Sequence, residues 1–293
     1  MEPGYVKLKL IKPLISGYIR ESQFLLTKSA IPDDRTVHDV RVLMKKARSL
    51  LKLTAHQTDN PLYQRDMDAL RNVGKILRFR RDNSVYRKTL KELKKENPEI
   101  FKNLNKHTGL QHLLEKPEIA NEVTMEMKSS IEQINELLSK TNYRIRFQSM
   151  NTIDPHEMLK ELESTYLIVA NAYLRCRNDQ KPASIHKFRK VAKDFRYQLF
   201  IFRALNPSAV RNLEKKLENL TINLGKFNDL VQLIKVLGYK YDEKNSPSSI
   251  DELILKIRSK QDKYLNRVWS SAFKIFCPGQ KLVNLLGFKL LVI

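Results

Sequence analysis

Four residues between positions 38 and 48 have the types and spacing of an anion-binding surface. His38, Arg41, Lys45 and Arg48 stand at i, i+3, i+7 and i+10 in VHDVRVLMKKARSLLK. The same types return in the same order as His186, Arg189, Lys193 and Arg196 in IHKFRKVAKDFR. An α-helix turns about 100° per residue, so each set falls in an arc roughly 80° wide and about 15 Å long. Lys52 continues the first stripe. Arg presents a planar fork to two oxygens of one phosphate, and Lys a mobile point charge. Like charges at helical neighbour spacing cost roughly 0.2–0.5 kcal/mol per pair, and neither stripe holds a carboxylate at these positions. A solvated face has no reason to keep the same four types in the same slots twice, so the duplicated order points to a bound anion. Thr36 and Ser184 read as N-caps, with Pro32 and Pro182 just upstream. That places His38 and His186 near the second helical position, where unpaired N–H groups and the positive end of the macrodipole favour negative charge.

Both stripes need helices with an apolar side to anchor them. Val40, Leu43, Met44, Ala47, Leu50 and Leu51 occupy the face away from the first stripe, and Phe188, Val191, Ala192, Phe195 and Leu199 do the same in the second copy. Gly and Pro are few and sit at segment edges, while Lys, Leu, Glu and Arg dominate between them. The pattern predicts helices over 14–30, 37–56, 62–96 (two helices meeting near 79–84), 118–140, 155–177, 184–205, 208–237 and 250–276, with a short apolar helix last. Residues 99–114 are ambiguous, 142–151 form helix poorly, and 245–249 read as a loop. No sustained β-alternation is visible. The expected fold is all-α, with two pseudo-symmetric helical bundles side by side from an internal duplication, residues 1–150 and 151–293.

Composition narrows the partner. The chain has 293 residues, 42% of them hydrophobic, enough for a sizeable core. It carries 54 Lys+Arg against 32 Asp+Glu, a formal charge of +22. Such an excess repels itself and suits a polyanion: nucleic acid, an anionic membrane or a phosphate polymer. Cys176 and Cys277 alone make no disulfide framework, which fits a reducing interior. The first residues lack the apolar core of a secretory signal. The apolar stretch from Leu282 to Ile293 is too short to span a bilayer and is interrupted by Gly287 and Lys289. A cytoplasmic protein without a membrane partner is expected.

The paired segments VHDVRVLMKKARSLL and IHKFRKVAKDFRYQLF resemble the CHAD domain, the conserved histidine α-helical domain. In that family each half of an all-helical protein carries one H-x-x-R-x-x-x-K/R-x-x-R helix, and the basic residues line a cavity that binds inorganic polyphosphate. A second family element, L-G-x-x-R-D, is matched by Leu224-Gly225-Lys226-Phe227-Asn228-Asp229. Asn228 stands where the family has arginine. In the first half Arg81-Asp82 is the match, and its spacing from Gly74 is four residues longer than that from Gly225 to Asp229.

The resemblance implies a binding protein for inorganic polyphosphate, associated with polyphosphate granules. A flexible polyanion offers little but charge, so it needs a track of cations. His38, Arg41, Lys45, Arg48, His186, Arg189, Lys193 and Arg196 would line one cavity, with Lys52, Arg81, Lys75, Arg78 and Lys226 adding to it. Lys46 and Lys190 fall off the stripe. The histidines are expected to bind and position rather than to transfer protons, and no metal site, cofactor or catalytic residue is expected. Nucleic-acid binding is the alternative that charge alone allows, although no nucleic-acid module is recognisable. Inositol polyphosphates would satisfy the same cations. His38-Asp39 invites a metal phosphohydrolase reading, but the second copy has Lys187 in place of Asp39, and adjacent helical residues point about 100° apart. The E-x-E-x-K pattern of triphosphate tunnel enzymes is absent. A protein-interaction scaffold is the remaining possibility.

Overall fold

The computed structural model describes residues 11–29, 31–58, 60–104, 121–147, 154–240 and 248–287. The described residues form helices and their connections, with no strand. In order these are α1 (Ile11–Thr27), α2 (Asp34–Lys52), α3 (Asn60–Ile76), α4 (Arg78–Glu96), α5 (Pro98–Leu104), α6 (Asn121–Phe147), α7 (Pro155–Asn178), α8 (Pro182–Leu199), α9 (Pro207–Lys240), α10 (Ser248–Phe276) and α11 (Leu282–Leu286). Short 3-10 turns at Ala55–Gln57 and Phe200–Ala204 follow α2 and α8.

The two stripe helices begin earlier than their sequences suggest. Asp33 caps α2, its carboxylate accepting from the Thr36 N–H at 2.7 Å. Helix α8 opens on Pro182, whose fixed φ suits the first turn, with Lys181 at the cap position and no side-chain cap. Thr36 and Ser184 are therefore inside the first turn, and His38 and His186 each stand fifth in their helix. The correction matters, because the fifth N–H is already bonded within the helix and offers nothing to an anion.

Other boundaries moved too: α1 spans 11–27 against the expected 14–30, and α2 and α8 end at Lys52 and Leu199, each short of the expected end and followed by a 3-10 turn. The break between α3 and α4 falls at Leu77, before the expected 79–84. Helix α9 continues past Gly238 to Lys240. Helix α6 does not stop at Lys140 but reaches Phe147, where tertiary contacts override weak propensity. Ile145 is fully buried there, Ser16 donates to Asn142 Oδ1 at 2.6 Å, and Arg144 pairs with buried Asp66 at 2.7 Å. The expected loop at 245–249 and the second part of 99–114 lie largely outside the described residues.

Four helices of the first half pack in a cycle: α1 and α3 each lie against both α2 and α6. In the second half α7 and α9 each lie against both α8 and α10. The apolar faces drive this. Val40, Leu43, Met44, Ala47, Leu50 and Leu51 are buried on α2, as are Phe188, Ala192, Phe195 and Leu199 on α8, while Val191 is half-buried. Tyr166, Tyr173, Phe188, Phe195 and Phe276 form a connected aromatic cluster in the second cycle.

The two cycles meet where α2 crosses α8. At the crossing the Ser49 hydroxyl donates to the Asp194 carbonyl at 2.6 Å, and the Gln198 amide to the Ser49 carbonyl at 3.3 Å. Helices α4 and α5 reach across as well. α4 packs on α2, α3 and α9, and α5 on α10, with Lys260 of α10 paired to Glu96 at 2.7 Å.

Candidate functional site

A cavity of about 640 Å³ opens between α2, α3, α4, α8 and α9. Arg41, Lys45 and Arg48 reach it from α2, His186 and Arg189 from α8, Arg71 and Lys75 from α3, and Lys235 from α9. Tyr86 of α4 and Asn228, Asp229 and Gln232 of α9 complete its polar wall. Among the described residues seven Lys and Arg side chains thus face one lining carboxylate, Asp229, which leaves the hollow strongly cationic.

Two arginines are each set against a glycine of the following long helix. The Arg41 guanidinium donates to the carbonyl of Gly74 on α3. The Arg189 guanidinium lies on Gly225 of α9, where a Cβ would come within 3.3 Å of Nη2 and 3.4 Å of Nε. The side-chain-free backbone at 225 is what admits the guanidinium. Both arginines are half-buried and directed into the cavity wall by these contacts.

Arg48 is the last cation of the α2 stripe to line the hollow. Burial lowers its pKa, the Asp194 carboxylate raises it, and neighbouring Arg71 lowers it again. Its Nε is buried and finds no hydrogen-bond acceptor among the described residues. A buried donor left unsatisfied is costly, and an anion oxygen in the cavity would satisfy it. His186 Nδ1 donates to the amide oxygen of Asn228 at 3.0 Å, so the asparagine that replaces the family's arginine orients the histidine.

The remaining expected residues are placed elsewhere. Lys52 is ion-paired to Asp194 of α8. Arg196 pairs with Glu218 at 3.1 Å and lies over the Tyr197 ring. Lys226 sits over the Tyr264 ring, 5.5 Å from its centroid. His38 is exposed and Lys193 half-buried, and neither lines the cavity. Of the eight groups expected in one hollow, the structure brings together five. Arg78 and Arg81 fall in the first turn of α4, and their side chains lie outside the described residues. Lys187 faces a separate groove of about 310 Å³ with Arg175 and Cys176.

Sequence reasoning missed Arg71, Lys235, Gln232 and Tyr86. The first three had a usable signal. Arg71, Gly74 and Lys75 share one helical face, as do Asn228, Gln232 and Lys235. Nothing in the sequence marks Tyr86. Among the described residues, no group of three or more His, Cys, Asp or Glu side chains is arranged to hold a metal ion, and no helix is long and apolar enough to cross a membrane.

The profile of the CHAD domain matches residues 23–238, well over half of the chain, and the protein belongs to the CHAD domain family. No curated protein shows a significant match to it.

Proposed function

We propose that this protein binds inorganic polyphosphate in the cavity between α2, α3, α8 and α9, and binds it without turning it over. The observation that carries the reading is the convergence of Arg41, Lys45, Arg48, His186 and Arg189, from two separate helices, on one hollow that also receives Arg71, Lys75 and Lys235. Family membership supports it, since polyphosphate binding is a family property. Among the described residues the lining offers many donors for phosphate oxygens and, in Asp229, one carboxylate, a composition suited to holding an anion rather than to placing a divalent metal and a base beside it. Association with cytoplasmic polyphosphate granules follows from this reading. The matching packing order of the two helical cycles supports an internal duplication with its boundary near residue 150.

Affinity for polyphosphate, measured across a salt titration, tests the proposal. Each charge-assisted arginine contact is worth roughly 1.5–3 kcal/mol, so Arg41→Ala and Arg189→Ala should each weaken binding by about tenfold or more. Lys187→Ala, in its separate groove, should leave it unchanged. Equal losses in all three variants would mean diffuse charge attraction and no built site. Competition with single-stranded RNA and inositol hexakisphosphate separates the alternative ligands. Phosphate release from labelled polyphosphate, with and without divalent metal, should stay at background.

A further inference from the structure

The two stripe helices differ at one position that bears on how much of a polyanion the site holds. Lys45 is followed by Lys46, but Lys193 is followed by Asp194. That single acid sits where α2 crosses α8. Its carbonyl accepts from buried Ser49, its carboxylate takes the ammonium of Lys52, and its negative charge acts on Arg48. The cavity lining ends on α2 at Arg48 and on α8 at Arg189. One turn further along α2 the next stripe cation, Lys52, is held by Asp194; on α8 Lys193, one turn beyond Arg189, is outside the lining, and Arg196, two turns beyond, is held by Glu218. A phosphate run advancing beyond Arg48 meets a carboxylate and two helices in contact.

We propose that Asp194 is a specificity-determining residue that ends the cation track, so that the cavity seats a short run or the terminus of a phosphate chain rather than threading a long one. The proposal rests on the polyphosphate reading above and adds a length limit to it. Lys52, which by sequence belongs to the track, is here part of its closed end.

The test compares wild type, Asp194→Asn, Lys52→Gln and the double variant, each binding tripolyphosphate and a polyphosphate of several hundred units. The statistical advantage of a long chain is common to all four proteins and cancels in the comparison. D194N should bind tripolyphosphate within about twofold of wild type. It should bind the long chain about three- to tenfold more tightly, with a salt slope steeper by roughly 0.7–0.9 as Lys52 joins the track. K52Q alone should match wild type on both ligands, and the double variant should lose the gain of D194N. Tightening of both ligands alike in D194N would reduce Asp194 to a general field effect and overturn the proposal. Weaker long-chain binding by K52Q would do the same, and that result stands even if D194N fails to fold. Absence of polyphosphate binding by wild type would overturn the underlying reading and this proposal with it.

Discussion

Gly225→Ala separates the stability of the fold from the function of the cavity. Gly225 lies inside α9, and an interior Gly costs roughly 0.8–1 kcal/mol relative to Ala. On propensity alone the substitution stabilises. The new methyl, however, would stand 3.3 Å from Arg189 Nη2 and 3.4 Å from Nε, so the guanidinium must give by a few tenths of an ångström. Gly17, inside α1, has nothing within 4 Å of an added Cβ and is remote from the cavity lining. Gly17→Ala therefore reports the propensity gain alone, about 1 kcal/mol or roughly 2 °C in Tm for a chain of this size. In G225A most of that gain should be offset by the displaced arginine. If the shift forfeits about half of a charge-assisted contact worth roughly 1.5–3 kcal/mol, polyphosphate binding falls about fivefold. Thermal melting and isothermal titration on both variants give the two readouts. G225A that gains as much stability as G17A and binds as wild type would show that Arg189 is not held against α9, and the account of the site would fail.

Arg144→Ala should cost about 3 kcal/mol in urea denaturation, because Asp66, only 1% exposed, loses its ion-pair partner. The double variant Asp66→Asn/Arg144→Met should recover most of it; a loss under about 1 kcal/mol in R144A would mean that water already screens the pair. Tyr166 donates to the carbonyls of Ile275 and Gln280, and burial pushes its pKa from the ordinary 10.0 up to about 12. A raised folded-state value means that the neutral phenol contributes stability fully below pH 10, lost as pH climbs through about 12. Melting temperature against pH should fall through that window in wild type and fall less in Tyr166→Phe; parallel curves would refute the assignment.

The apolar faces of α2 and α8 were legible because a helix that packs on one side writes its period into the sequence, and Val40, Leu43, Ala47, Phe188 and Phe195 did so. The cation stripes were legible for the same reason, as far as Arg48 and Arg189. Their carboxylate partners were not. Asp194 lies about 100° from Lys193 around the helix, and only the crossing of α2 over α8 brings it to Lys52. Glu218 reaches Arg196 from α9 by an equally nonlocal route. The caps failed for a local reason. Asp33 and Thr36 are both good cap residues three positions apart, and a capping side chain bonds to the N–H three residues on, so choosing the later one shifts the whole helix start. In α6, Asn142 and Tyr143 argue against helix by propensity, while Ser16, Asp66 and the buried Ile145 decide otherwise.

Helices α4 and α5 belong by sequence to the first half, yet they are docked on α9 and α10 of the second. A polypeptide severed near residue 150 would not release two self-sufficient pieces. The carboxyl-terminal fragment would lose α4 from α9 and α5 from α10, and in the amino-terminal fragment α4 would keep α2, α3 and α5, while α5 lost α10. Co-expressed, the same fragments hold a ready clasp, with Glu96 and Lys260 as its fastening. However the two cycles arose, their assembly is interlocked, and neither is finished alone.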